Sequence, residues 1–143
     1  MSAVRLRPGV LAQLRRAAGL SQSEVARRLE GLRREQSLGD WERERQQPQP
    51  RFVPLLASVF GVSPLELLDV DVDDPPLQAL RLAAGLSLED LESLTGISRT
   101  TYSRLESGSR RGELGRATAT NLAGTLKVDV ERVVRAVQRS RKT

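Results

Sequence analysis

One short sequence occurs twice in this chain of 143 residues. The stretch LRRAAGLSQSEV at residues 14–25 returns as LRLAAGLSLEDL at residues 80–91, an offset of 66 residues. A repeat of this length indicates that one folding unit is used twice. Units of about 65 residues are small but large enough to fold around a core of their own. We therefore predict two similar domains, a first unit at residues 1–68 and a second unit at residues 77–143.

The segment between the two units, residues 69–76, reads DVDVDDPP and contains four aspartates and no basic residue. An acidic stretch that ends in two prolines is typical of a linker. Both flanking units are basic, with 11 basic against 7 acidic residues in the first unit and 12 against 7 in the second. Arginine supplies most of this positive charge, which suits a phosphate-binding surface, although solvated surface charge explains the same composition.

Helix signals in the second unit predict two short helices joined by a tight turn. A helix capped by Ser87 ends at Gly96, and the next helix begins at Ser98. The acidic residues after Ser87 lie in the first helical turn, where the helix dipole favours negative charge. The predicted apolar faces are Leu91 and Leu94 in the earlier helix and Thr101, Tyr102 and Leu105 in the later one.

The first unit follows the same plan with a longer turn. Ser21 opens a helix whose inward residues are predicted to be Val25, Ala26 and Leu29. The turn Glu30–Arg34 contains two extra residues, because Ser21 and Glu42 are 21 positions apart whereas Ser87 and Glu106 are 19 apart. Further helices are predicted at Glu35–Arg43, from Phe52 to Gly61, at Pro64–Leu68, at Arg116–Leu126 and at Val130–Gln138, with a frayed tail at Arg139–Thr143.

Two short helices with a glycine in the turn, the second carrying exposed Arg and Thr, are typical of a helix-turn-helix. The segment from Leu80 to Gly108 resembles the lambda repressor/Cro-like (XRE-type) family through its LR, GLS, L-x-x-L-x-G-x-S and S-x-x-E-x-G elements. The resemblance implies an all-α fold of two tandem five-helix lambda-repressor-like DNA-binding domains. It also implies sequence-specific binding of double-stranded DNA by a bacterial or phage transcriptional regulator.

The resemblance assigns base-reading positions to the third helix of each unit. In the second unit they are Arg99, Thr100 and Arg104, with Ser103 on the same exposed face. In the first unit they are Glu35, Gln36 and Asp40. Arginine can pair with guanine and glutamine with adenine, whereas carboxylates are repelled by phosphates. Equal participation of both units in DNA binding therefore stays open.

Other residues are predicted to contact the DNA backbone or to support the fold. The resemblance gives Gln22 a backbone contact, which Leu88 at the equivalent position in the second unit cannot make. It also implies two structural ion pairs, Arg15–Glu42 and Arg81–Glu106. The other candidates for backbone contact are Ser21, Ser98, Arg43, Arg45, Arg51, Arg110, Arg111 and Arg116, for which a solvated surface role is the alternative.

The composition excludes several kinds of chemistry. Cysteine and histidine are both absent, so there is no disulfide, no thiolate zinc site and no histidine base. We predict a protein that is not an enzyme, uses no cofactor or metal, and acts in the cytoplasm at the nucleoid. In the alternative function, one unit, most simply the acidic-faced first one, docks a partner protein. Homodimer formation stays open, and the valine stripe Val130, Val133, Val134 and Val137 either covers the second core or pairs two chains.

Overall fold

The computed structural model describes residues 3–29, 36–109 and 114–142. These ranges are helical and contain no β-strand, apart from an isolated antiparallel bridge between Leu6 and Leu68. The predicted all-α fold is thereby confirmed. The first unit contains α1 (Val10–Ala17), α2 (Gln22–Arg28), α3 (Gln36–Glu42), α4 (Phe52–Phe60) and a 3-10 helix (Pro64–Leu67). The second unit contains α5 (Leu77–Ala83), α6 (Leu88–Thr95), α7 (Arg99–Ser107), α8 (Arg116–Leu126) and α9 (Val130–Lys142).

Two of the predicted helices end at different residues in the structure. The helix expected at Pro64–Leu68 is a 3-10 helix that stops at Leu67, because Leu68 is extended and forms the bridge with Leu6. The tail expected to fray from Arg139 continues α9 as far as Lys142. Arg139 is held by an ion pair of 3.1 Å between its Nη1 and Asp74 Oδ2, which ties this helix to the acidic segment.

Each unit has its own cluster of buried apolar side chains. The first cluster contains side chains of the first unit together with Ala79 of α5, and the second cluster contains side chains of the second unit. Val133 and Val137 of α9 are buried in the second cluster and Val130 packs against it, whereas Val134 lies outside it. The largest fully buried side chains are Val25, Leu38, Leu56, Leu67 and Leu68 in the first unit, and Leu77, Leu80, Leu91, Tyr102, Leu105, Leu122 and Val133 in the second.

Helix α5 contacts both clusters. Leu77 and Leu80 belong to the second cluster, while Ala79 is fully buried in the first. At the end of the same helix Gly85 has φ +77°, and a Cβ at this position would come within 2.8 Å of Pro54 Cγ of α4. The two units therefore meet directly along α5, and the acidic segment does not join them as a free tether.

Two residues that were predicted to lie on buried helix faces, Leu94 and Thr101, are not fully buried. Leu94 is 61% exposed, whereas Leu91 on the same helix is fully buried. The next residue, Thr95, is in contact with α8, because its carbonyl accepts a hydrogen bond from Asn121 Nδ2 at 2.9 Å. Thr101 is only half-buried, because it lies in the first turn of α7, where its backbone N–H donates to the capping hydroxyl of Ser98.

A left-handed residue closes helix 3 in both units. Gly108 has φ +76°, and Glu44 at the equivalent position has φ +62°. A side chain in this conformation costs about 1 kcal/mol or more, which glycine avoids. We expect Glu44→Gly to raise the free energy of unfolding by about 0.5–1 kcal/mol in urea denaturation. Glu44→Ala is the matched control, since it removes the side chain but keeps the strain, and equal stability of the two variants would contradict this account.

Tyr102 is the largest fully buried side chain, and its hydroxyl lies near the Glu106 carboxylate but makes no hydrogen bond of normal geometry within the described ranges. Burial, followed by the nearby charge of Glu106, raises the pKa of this phenol. A buried polar atom without a partner is destabilising. We expect Tyr102→Phe to have a free energy of unfolding equal to that of the wild type or up to about 1 kcal/mol higher. Tyr102→Ala should lower the free energy of unfolding by about 3–5 kcal/mol. A loss above about 1 kcal/mol for Tyr102→Phe in denaturant titration would show that the hydroxyl is bonded.

Candidate nucleic-acid interface

Serine caps fix the beginning of the second helix in each unit. Ser87 Oγ accepts a hydrogen bond from the backbone N–H of Asp90 at 3.0 Å, and Asp90 Oδ2 accepts one from the Ser87 N–H at 2.9 Å. Ser21 and Glu24 form the same reciprocal pair. The backbone hydrogen bond from each serine lowers the pKa of its carboxylate partner. The caps occupy the hydroxyl groups of both serines with structural hydrogen bonds.

The turn between α6 and α7 sets the direction of the third helix of the second unit. Gly96 ends α6 in the left-handed conformation at φ +78°, and Ser98 then caps α7 by accepting from the Thr101 N–H at 3.1 Å. The first helical N–H group, that of Arg99, donates to Glu92 Oε2 at 3.0 Å. Two side chains thus satisfy N–H groups at the start of α7, which fixes the helix end.

One side of α7 is buried and the other side is polar and exposed. Tyr102 and Leu105 are in the core, while the four predicted base-reading side chains are exposed to solvent. These four side chains line a shallow groove with Leu88 of α6 and Ser107. They are Arg99, Thr100, Ser103 and Arg104. The groove presents guanidinium and hydroxyl donors on one rigid helix, which are groups that can bond to base edges and phosphates.

The two arginines of this groove differ in their partners. Arg99 Nη1 lies 3.1 Å from Glu89 Oε1, and its Nε lies 3.7 Å from Glu92 Oε1. Arg104 is exposed, and its guanidinium forms no ion pair within the part of the chain that the structure describes. The sequence reasoning missed the two glutamates as neighbours of Arg99. Their spacing of three residues on α6 was the available signal, because it places both on one helix face.

The first unit presents a different surface. Asp40 is half-exposed on α3, and the backbone of Gln36 begins this helix, although its side chain is not among those described. Glu35 lies outside the described residues, as do Arg110 and Arg111. Within Gln36–Glu42 the helix has no basic residue. This helix face therefore lacks the positive charge that α7 carries.

Gln22 contacts a buried carboxylate of its own unit. Its Nε2 donates to Glu42 Oε1 at 3.1 Å, while Arg15 holds the same carboxylate through Nε at 2.7 Å and Nη2 at 3.1 Å. Burial opposes ionisation of Glu42, but the hydrogen bonds from Arg15 and Gln22 outweigh it and lower the pKa of this carboxylate. One N–H of the Gln22 amide is thus committed to Glu42, and this contact does not use the second N–H.

The second unit has the same ion pair without the glutamine. Arg81 Nε and Nη2 lie 2.7 and 3.3 Å from the two carboxylate oxygens of Glu106, and Arg81 Nη1 donates to the Leu86 carbonyl at 3.1 Å. Arg81 is only 7% exposed. Both ion pairs connect the first helix of a unit to the end of its third helix. They stabilise the packing of these helices and are not free charges at the surface.

The remaining predicted backbone contacts are arginines at the surface. Arg43, Arg45 and Arg116 are exposed, with Arg116 at the first position of α8. Arg51 lies over the ring of Phe52, 4.5 Å from its centroid. It also lines a cleft between the units together with Glu89 and Asp90 of α6. Arg51 is thus placed at the junction of the units, close to acidic side chains.

Comparison with known families agrees with this arrangement. Residues 77–133 match the family described as "Helix-turn-helix", and residues 9–70 match the family described as "Helix-turn-helix domain". The chain belongs to the lambda repressor/Cro-like helix-turn-helix proteins, with two units in tandem. No curated protein and no solved structure shows significant similarity to it. Across the described ranges of these helix-turn-helix units, every helix is too short or too polar to cross a membrane.

Proposed function

We propose that this protein is a transcriptional regulator that binds double-stranded DNA in a sequence-specific manner. The observation that carries the proposal is the exposed face of α7, where two arginines and two hydroxyl side chains project from a helix anchored by buried Tyr102 and Leu105. In a helix-turn-helix domain the recognition helix enters the major groove, where its exposed side chains meet base edges. Arg104 and Arg99 are the candidates for guanine, Thr100 for a thymine methyl group or a phosphate, and Ser103 for a hydrogen bond to a base edge or a phosphate.

The first unit supports this binding mainly through the DNA backbone. The second amide N–H of Gln22 and the exposed Arg43 and Arg45 supply donors for phosphates. Base reading in this unit falls to Gln36 and Asp40, with the carboxylate suited to accept from cytosine N4. Because one chain already supplies two units, a single molecule can occupy two half-sites without forming a homodimer.

A second function is favoured by the charge of the first unit. Its α3 carries Asp40 and no basic residue within Gln36–Glu42, which suits docking to a basic protein surface better than entry into a groove. In that function the second unit binds DNA and the first unit binds a protein partner. Variants of the first unit then change partner capture without changing affinity for DNA.

The deciding experiment is selection of duplexes from a random-sequence pool by the full chain, followed by mobility-shift titration. We expect a recurrent motif to be enriched, and the protein to bind that duplex in the presence of heparin while heparin removes it from a scrambled duplex. Asp40→Ala in the same assay separates the two functions of the first unit. It changes the affinity for the selected duplex if α3 reads bases, and leaves that affinity unchanged if the unit docks a partner protein. Failure to enrich any motif, with equal loss of all duplexes to heparin, would contradict sequence-specific binding.

A further inference from the structure

Arg99 is held by two carboxylates of the neighbouring helix. Its Nη1 lies 3.1 Å from Glu89 Oε1, and its Nε lies 3.7 Å from Glu92 Oε1. All three side chains are exposed, with 54% of the Arg99 side chain, 79% of Glu89 and 43% of Glu92 accessible. Glu92 also accepts the Arg99 backbone N–H at 3.0 Å. The arginine that starts the recognition helix therefore leans towards α6.

This arrangement places a carboxylate oxygen within ion-pair distance of two of the three guanidinium nitrogens of Arg99. A guanidinium grips guanine or phosphate with two neighbouring N–H groups, along either its Nε edge or its terminal edge. In the structure Nη1 donates to Glu89 Oε1 at 3.1 Å, and Glu92 Oε1 lies 3.7 Å from Nε, within ion-pair distance but beyond that of a hydrogen bond. A phosphate or base oxygen that binds this guanidinium therefore competes with both carboxylates for its positive charge and with Glu89 for the Nη1 donor.

Both glutamates also place negative charge beside the groove lined by Arg99 and Arg104. DNA phosphates approaching this face meet two carboxylates near one of its two arginines, and this repulsion weakens binding. Exposed ion pairs are individually weak, so the carboxylates can exchange with DNA instead of blocking it permanently.

We propose that Glu89 and Glu92 compete with DNA for Arg99 and hold the affinity of the second unit below what its recognition helix could reach. The proposal rests on the proposed DNA-binding function and adds a regulatory contact to the same face. DNA binding breaks the two ion pairs, and the Arg99 guanidinium turns from the α6 carboxylates to the DNA. Arg104 has no such competitor among the described residues and is available at first encounter.

The test replaces both glutamates by glutamine, Glu89→Gln with Glu92→Gln. Glutamine keeps an oxygen that can accept the Arg99 N–H, so the start of α7 retains its cap. We expect the selected duplex to bind about three- to tenfold more tightly, because two exposed ion pairs and their repulsion no longer oppose it. The control is Asp69→Asn with Glu131→Gln, which changes the net charge equally at exposed positions outside this groove and should alter affinity less than about twofold.

Repeating the substitutions in the Arg99→Ala background completes a double-mutant cycle. There we expect the gain to fall to less than half, because only the repulsion remains to be removed. Circular dichroism checks folding, and the single variant Glu89→Gln, which does not touch the cap, replaces the double variant if that one unfolds. An equal gain in affinity with and without Arg99, or unchanged or weaker binding by the double variant, would overturn the proposed competition. The DNA-binding function would still stand in that case, provided that the wild type binds the duplex. Absence of DNA binding by the wild type and all variants would overturn both.

Discussion

Arg81→Ala should lower the free energy of unfolding of the second unit by about 3–5 kcal/mol, because it strands the carboxylate of Glu106 in a buried site. Arg81 is 7% exposed and holds both oxygens of Glu106 as well as the Leu86 carbonyl. Removing the arginine leaves two acceptors without their donor. The change should appear as an earlier loss of helical circular dichroism on heating.

The equivalent substitution in the first unit supplies a matched comparison. Arg15→Ala should cost less than Arg81→Ala, since Gln22 still donates to Glu42 at 3.1 Å. Trp41 is the single tryptophan and is buried in the first unit, so its fluorescence reports the unfolding of that unit. Arg135→Ala on the exposed side of α9 is the neutral control, with an expected change within about 0.5 kcal/mol. Melting curves that are unchanged by both Arg81→Ala and Arg15→Ala would show that these pairs do not support the fold.

Arg104→Ala should weaken binding to the selected duplex by about 1–3 kcal/mol and relax discrimination at one base pair. Its guanidinium is exposed in the groove and free of ion pairs within the described ranges. The matched control is Arg116→Ala, at the exposed start of α8, for which we propose a contact with phosphate and not with a base. This variant should weaken selected and scrambled duplexes alike and lower the salt slope by about one unit. Equal losses from Arg104→Ala on both duplexes would mean that α7 does not read bases.

Sequence patterns predicted the features that depend on neighbours along the chain. The serine caps at Ser21, Ser87 and Ser98 follow from the residue types that stop and start helices, and each is present. Glu44 aligns with Gly108, a residue type that commonly ends helices in the left-handed conformation, and both positions adopt it. The two arginine–glutamate pairs came from family resemblance, and the structure contains both.

The same patterns did not predict the contacts between different helices. Leu94 belongs to the apolar spacing of α6, yet it lies outside the second cluster and is exposed. The contact of α5 with both clusters depends on Ala79, a residue too small to signal burial by itself. Arg99 and Glu92 are seven residues apart on different helices, and only the angle of the turn brings them together. Each of these features depends on the docking of helices, which local periodicity does not encode.

If the basic units bind the phosphates of duplex DNA, affinity must depend steeply on salt, and the salt dependence of binding is the most direct test. Affinity of the full chain for the selected duplex is measured by fluorescence anisotropy across a series of salt concentrations. Two engaged units should neutralise on the order of 6–10 phosphates, with log K falling by about 0.9 per phosphate for each unit of log salt concentration. A nearly flat dependence on salt would contradict DNA binding and favour protein docking.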